Sequence, residues 1–171
     1  MSRLDRAPVS AAVRAVEPQP AAVGFDHLFA GGPRILVVDD NPCNLHMASE
    51  LLACWGITPM LAADGAEAVA LACGGDFDLI LMDLQMPVLD GLEATKQIRR
   101  YELQQRCARA PVLAYTSCVF DEDILRHCGV DGVLEKPCSV GVLERCLSRW
   151  CAPKVGGSLE AQLPAALPSR R

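Results

Sequence analysis

A doubly wound α/β sheet of five parallel strands, in the order 2-1-3-4-5, is the fold class this sequence predicts, and three observations predict it. Short apolar runs alternate five times with segments of helical period between residues 33 and 151. The runs show little polar alternation, the pattern of strands covered on both faces, as in parallel sheets. Each run is followed by a capping or breaker residue that opens a helix, so the connections suit right-handed crossovers with helices on both faces.

The first run, Arg34-Ile35-Leu36-Val37-Val38, is β-branched and ends in two aspartates. Asn41 and Pro42 then read as N-cap and first helical position, with Leu45, Ala48, Leu51, Leu52 and Trp55 at helical spacing until Gly56. Ile57 to Ala62 is a weaker strand whose Pro59 suits an edge. Asp64-Gly65-Ala66-Glu67 opens the second helix with an acid at the cap and Glu three residues on. Leu79-Ile80-Leu81-Met82 is too short for a helix and reads as a central strand that delivers Asp83 at its end. Asp90 caps a third helix running to about Arg106, and Pro111 to Tyr115 form the fourth strand. A short helix from Asp121 to Cys128 ends at Gly129, Val130 to Leu134 form the fifth strand, and Ser139 caps a last helix that carries Leu143, Leu147 and Trp150.

Outside this core the pattern lapses. Residues 1–32 are rich in Ala and Pro and end in a breaker cluster, and residues 152–171 contain three prolines and two glycines, so both read as flexible extensions of a domain spanning 33–151. Phe25-Asp26-His27-Leu28-Phe29 is an exception that could form a short docking turn. A chain of 171 residues suits one such domain rather than two.

Composition narrows the function. Residues 33–151 hold 10 Lys and Arg against 17 Asp and Glu, with no aromatic-interleaved basic stripe, which argues against nucleic acid as a partner. The N-terminal apolar stretches are broken by charges, and the apolar segment Leu51–Ala63 is too short for a bilayer, so a soluble, cytoplasmic protein is expected. Nine cysteines include no C-x-x-C pair, the count is odd, and several fall on apolar faces; reduced thiols in a reducing compartment are expected rather than disulfides or a metal site. His27, His46 and His127 are scattered, which favours surface or packing roles, and Trp55 and Trp150 lie on apolar stripes suited to packing.

The strand ends carry the chemistry. Asp39 and Asp40 follow the first strand, Asp83 the third, Thr116 the fourth and Lys136 the fifth, so all five groups reach one rim of a parallel sheet, where ligands of such folds bind. Singly, each has an ordinary role as a cap or a solvated charge. Together, three carboxylates repel one another unless a cation sits among them, and oxygen donors without Cys or His point to Mg²⁺ rather than zinc. A lysine and a hydroxyl beside that cation supply donors for an anion, and the ensemble describes a phosphoryl group held between metal and ammonium with a carboxylate as nucleophile.

Val37-Val38-Asp39-Asp40-Asn41-Pro42, Met82-Asp83-Leu84-Gln85-Met86-Pro87-Val88-Leu89-Asp90-Gly91, Thr116-Ser117 and Glu135-Lys136-Pro137 stand in the order of four signature stretches of the response-regulator receiver domain of two-component signalling, which residues 33–151 resemble. The wording is most similar to receivers attached to hybrid sensor kinases. The resemblance implies a flavodoxin-like (βα)5 fold and a role in phosphorelay signalling of the bacterial type. It implies Asp83 as phosphoacceptor from a histidine kinase or histidine phosphotransfer protein, and Mg²⁺ bound by Asp40 directly, by Asp39 mainly through water, by Asp83, and by the Gln85 backbone carbonyl. It further implies Thr116 bonded to the phosphoryl oxygen, Lys136 paired with the phosphoryl group or Asp83, and a cis Lys136–Pro137 bond. Enzymatic activity would be limited to the domain's own phosphorylation and dephosphorylation.

Two departures fall on the family's usual output face. Val133 stands where the family carries an aromatic three residues before the lysine, and the stretch from Thr116 to Lys136 is short. Tyr115 does not replace that aromatic, because strand alternation points it away from Thr116. The leading expectation is a single-domain response regulator, monomeric or weakly dimeric, that acts by binding an unknown downstream protein. The alternative is a constitutive interaction module with little phosphorylation. A magnesium-dependent phosphatase with an aspartyl nucleophile would need a second acid two residues after Asp83, where Gln85 stands, and no G-x-x-x-x-G-K-[ST] loop is present.

Overall fold

A computed structural model of the chain describes residues 32–151; the expected turn at Phe25–Phe29 and both extensions lie outside the described residues. Strands and helices alternate: β1 (Ile35–Val38), α1 (Pro42–Ala53), β2 (Met60–Ala62), α2 (Gly65–Gly74), β3 (Leu79–Met82), α3 (Gly91–Gln105), β4 (Val112–Thr116), α4 (Glu122–Cys128), β5 (Gly132–Glu135) and α5 (Val140–Trp150). The sheet order is β2-β1-β3-β4-β5 and every pairing is parallel, as the sequence predicts.

β1 and β3 are buried along their whole length because each face meets a helical layer. Ile35, Val37, Leu79, Leu81 and Leu113 pack with Leu52, Trp55, Leu143 and Leu147 on the α1/α5 side. Their alternate neighbours Leu36, Val38, Ile80, Met82 and Val112 pack with Ala68, Ala94 and Ile98 on the α2/α3 side. Leu84, Ala114, Leu125 and Val130 form a smaller cluster at α4. Helix starts follow the cap chemistry: Asp64, Asp90 and Asp121 accept backbone amides at their helix N-termini. Ser139 differs, since it makes no side-chain cap bond and contributes only its carbonyl, to Val142 and Leu143.

Two strands start later than their apolar runs. Gly56, at φ +72°, ends α1 and turns the chain so that the Ile57 amide bonds back to the Leu52 carbonyl; the strand then waits until after Pro59, which has no amide to give the ladder. Likewise the Val130 amide closes α4 on the Leu125 carbonyl, and the Asp131 carboxylate takes the Val112 amide, so β5 begins only at Gly132.

Register decides which residues share the rim. Val38 pairs with Met82, so Asp39 and Asp83 leave neighbouring central strands at the same level. Thr116 pairs with Glu135, which brings Lys136 one step beyond Thr116 on the same edge.

Candidate functional site

Asp39, Asp40 and Asp83 each present a carboxylate oxygen within 4.8 Å of the others. Their surroundings differ. Asp39 is fully buried, and its Oδ1 accepts the Asn41 amide at 2.9 Å and the Asn44 side-chain amide at 3.0 Å. Asp83 is 9% exposed, and its Oδ1 accepts the Gln85 amide at 3.0 Å. Asp40 is exposed and accepts no protein hydrogen bond among the described residues. The Asn41 and Gln85 donors come from the backbone turning into α1 and out of β3, where the chain's own unpaired amides are available, and Asn44 adds a side-chain amide from the first turn of α1.

Lys136 supplies the compensating charge. Its ammonium pairs with Asp39 Oδ2 and, at 2.7 Å, with Asp83 Oδ2, while its side chain is only 11% exposed. Its amide donates to the Thr116 carbonyl at 2.9 Å, and the Lys136–Pro137 bond is cis, as expected. Thr116 is buried on the same edge, and its Oγ1 accepts the Cys118 amide at 3.2 Å. The Cys118 thiol donates to Gln85 Oε1 at 3.1 Å, closing one side of the site. Asp39, Asp40, Asp83, Gln85, Thr116 and Lys136, the residues the sequence nominated for the strand-end site, therefore lie together at one rim. Three carboxylates against one ammonium leave a net negative cluster of hard oxygen donors, a donor set that fits Mg²⁺.

A matching model of the response regulator receiver domain covers residues 35–148, two thirds of the chain. The chain belongs to the response regulator receiver domain family. The receiver is 36% identical over 136 residues to sensor protein GacS of Pseudomonas syringae pv. syringae; the match takes in 77% of this chain and 15% of that relative, so the chain spans a small part of the length of this curated relative. Among solved structures it is similar to the receiver domain of sensor histidine kinase PA1611 from Pseudomonas aeruginosa PAO1, which holds a magnesium ion in its active-site cleft (38% identity, TM-score 0.62, 70% of this chain and 97% of that one). It is also similar to a structure containing the receiver of Saccharomyces cerevisiae Ssk1 with the phosphotransfer protein Ypd1 (33% identity, TM-score 0.64, 69% and 89%). Relatives occur in bacteria and eukaryotes, so the bacterial setting does not follow from the family.

The receiver also holds site features that the motifs alone did not reveal. Gly91, which ends the signature stretch that begins at Met82, lies so close to the Asp83 carbonyl that a Cβ would collide with it, which fixes the start of α3 against the end of β3. Tyr115, set aside as a signalling aromatic, does lie on the opposite sheet face from Thr116, yet its ring lies beneath Lys136, 4.8 Å from the ammonium. Burial, and then Cys138, push the Tyr115 phenol above its usual range. Spacing signals neither contact, because one depends on how the β3–α3 connection folds back on itself and the other on how β4 and β5 lie side by side.

The remaining nominated residues stay apart from the site. His46 and His127 are exposed, and His27 lies outside the described residues. Trp55 is buried in the core and Trp150 packs against it. All nine cysteines are unpaired. No described helix is long and apolar enough to cross a membrane. A cavity of about 550 Å³ opens at the other edge of the sheet, lined by Arg34, Cys73, Glu102, Cys107 and Trp150 among others, and holds none of the site residues.

Proposed function

We propose that this receiver accepts a phosphoryl group on Asp83 from a phosphohistidine of a histidine kinase or phosphotransfer protein and signals by binding another protein. The observation that carries this reading is the convergence of Asp83 with two further carboxylates and the Lys136 ammonium at one rim. In the transfer, an Asp83 carboxylate oxygen forms a bond to phosphorus as the phosphorus–nitrogen bond of the donor imidazole breaks; the electron pair returns to the imidazole nitrogen, which takes a proton from solvent.

Mg²⁺, held by Asp39, Asp40, Asp83 and the Gln85 carbonyl, would neutralise charge on the transferring group. The difference in engagement supports the division of roles: Asp40, open and without protein donors, is suited to direct contact, and Asp39, with both oxygens engaged, to indirect contact. Lys136 supplies a positive charge already in place beside Asp83, so little reorganisation is needed as charge builds on the phosphoryl oxygens. Thr116 supplies a hydroxyl at the same edge. The domain acts on no substrate other than its own aspartyl phosphate.

A second reading, a constitutive interaction module, is favoured by one observation: Val133 is half exposed on β5 and offers no ring to swing between states. Intact-mass analysis after incubation with acetyl phosphate and Mg²⁺ separates the two. A single phosphate adduct, lost in Asp83→Ala and on chelation, supports the acceptor; no adduct even from a phosphorylated histidine donor sinks it in favour of the constitutive module.

A further inference from the structure

The Lys136 ammonium has a third neighbour besides its two carboxylates. Its nitrogen lies over the Tyr115 ring, 4.8 Å from the centroid, within the range where an ammonium is attracted by the negative face of an aromatic ring. Tyr115 is 5% exposed and packs in the core cluster between the sheet and helices α1 and α5, so the ring is held by its surroundings rather than by the lysine. Its hydroxyl meets the Cys138 sulfur at 3.8 Å. One side chain thus touches the β5–α5 connection twice, at the lysine head and at a residue two positions on.

We propose that Tyr115 is a positioning residue that holds the Lys136 ammonium beside Asp83 through phosphoryl transfer by presenting its ring face to it. The inference rests on the phosphoacceptor reading of Asp83. Both carboxylate partners of Lys136 change as that site works: Asp83 exchanges its carboxylate for an acyl phosphate, and Asp39 comes to share its charge with a bound cation. The ring's charge distribution is left unchanged by either event. An aliphatic residue at 115 would fill space without offering a negative face to the ammonium. The contact is therefore chemically specific, and the hydroxyl is dispensable to it.

The test uses the full chain with Tyr115→Phe, which keeps the ring, and Tyr115→Leu, which removes it, with Tyr115→Met as a second ringless variant should the leucine protein fail to fold. Two quantities are measured: the rate of Asp83 adduct formation from acetyl phosphate with Mg²⁺, and the proton shifts of the Lys136 ε-methylene without metal or phosphate. Tyr115→Phe is expected within about twofold of wild type and the ringless variants roughly three- to tenfold slower, the rate equivalent of a partly desolvated cation–π contact. The ε-methylene protons should be shifted upfield in wild type and Tyr115→Phe and return to ordinary values without the ring. In a Lys136→Met background the ringless change should add no further loss.

A ringless variant at the wild-type rate would overturn the proposal, as would equal slowing with and without the Lys136 side chain, or equal loss in the phenylalanine and leucine proteins. Wild-type protein that takes no phosphate would instead overturn the phosphoacceptor reading, and a surviving ring-current shift would then show that the contact exists without that function.

Discussion

Replacing Lys136 by methionine should expose the electrostatic logic of the site, because Lys136 is the one cation paired with its carboxylates among the described residues. Asp39 is wholly buried, the Asp83 side chain is 12% exposed and that of Lys136 11%, so this pair behaves as an interior one. Removing one partner of a buried pair costs about 3–5 kcal/mol. Asp39 retains two amide donors and Asp83 one, which places the expected loss near the lower end, about 3 kcal/mol. For a domain of this size that is a fall in Tm of roughly 10–15 °C. Mg²⁺ should then stabilise the variant more than wild type, since a dication entering the cluster no longer meets an ammonium. Thermal melts followed by circular dichroism at neutral pH, in EDTA and in excess Mg²⁺, measure both quantities. A loss below about 1 kcal/mol, or equal Mg²⁺ shifts in the two proteins, would refute the reasoning.

Three further outcomes are expected. Arg99, whose side chain is 14% exposed, ties α3 to the base of the sheet through Glu102, Asp131 and the Gly129 and Ala110 carbonyls; Arg99→Ala should cost about 2–4 kcal/mol in urea unfolding while leaving the rate of acetyl-phosphate adduct formation unchanged in the folded fraction. Gly91→Ala forces a methyl against the Asp83 carbonyl, so it should cost about 1–3 kcal/mol in the same unfolding assay and also slow adduct formation by displacing Asp83. Burial, with Asp78 and Cys146 adding, pushes the Cys151 thiol up to about 12; because the folded protein keeps a proton that the unfolded chain releases from pH ~9, this contribution is intact below pH 9 and lost as pH rises toward 12, at about 1.4 kcal/mol per pH unit. Cys151→Ala should make the alkaline limb of the stability profile shallower by that slope.

The strand runs and caps were legible because their causes are local. β1 and β3 are unbroken apolar stretches covered on both faces, and aspartates at 64, 90 and 121 bond amides of their own helices. The rim was legible for a related reason: in a parallel sheet the carboxyl ends of all strands share one edge, so residues at strand ends converge wherever the strands lie. Delayed strand starts at Met60 and Gly132 were not, since Ile57 and Val130 are apolar enough for a strand but spend their amides closing helices. Val88, at φ +70° between Pro87 and Leu89, is a left-handed valine with no sequence signature, held by a Leu89 amide bond to the Pro87 carbonyl. The Arg99 network joins residues more than thirty positions apart, and only the packed fold brings them together.

In the proposed function, the links that leave Asp83 run to the β4–β5 edge rather than to a ring on β5. Lys136 joins Asp83 to the end of β5, its amide joins that end to the Thr116 carbonyl, and Thr116 Oγ1 holds the Cys118 amide, whose thiol returns to Gln85 two residues past Asp83. The Thr116 hydroxyl donates to the phosphoryl oxygen while a lone pair of Oγ1 still accepts, so a hydroxyl drawn toward the phosphoryl group would carry the Cys118 amide, and the segment after β4, with it. Val119, almost fully exposed, and α4, seven residues long, lie directly beyond. With Val133 offering no ring to rotate, the turn at Ser117–Phe120 and the short helix it leads into are, on the proposed function, the part of the surface whose shape the chemistry at Asp83 would change.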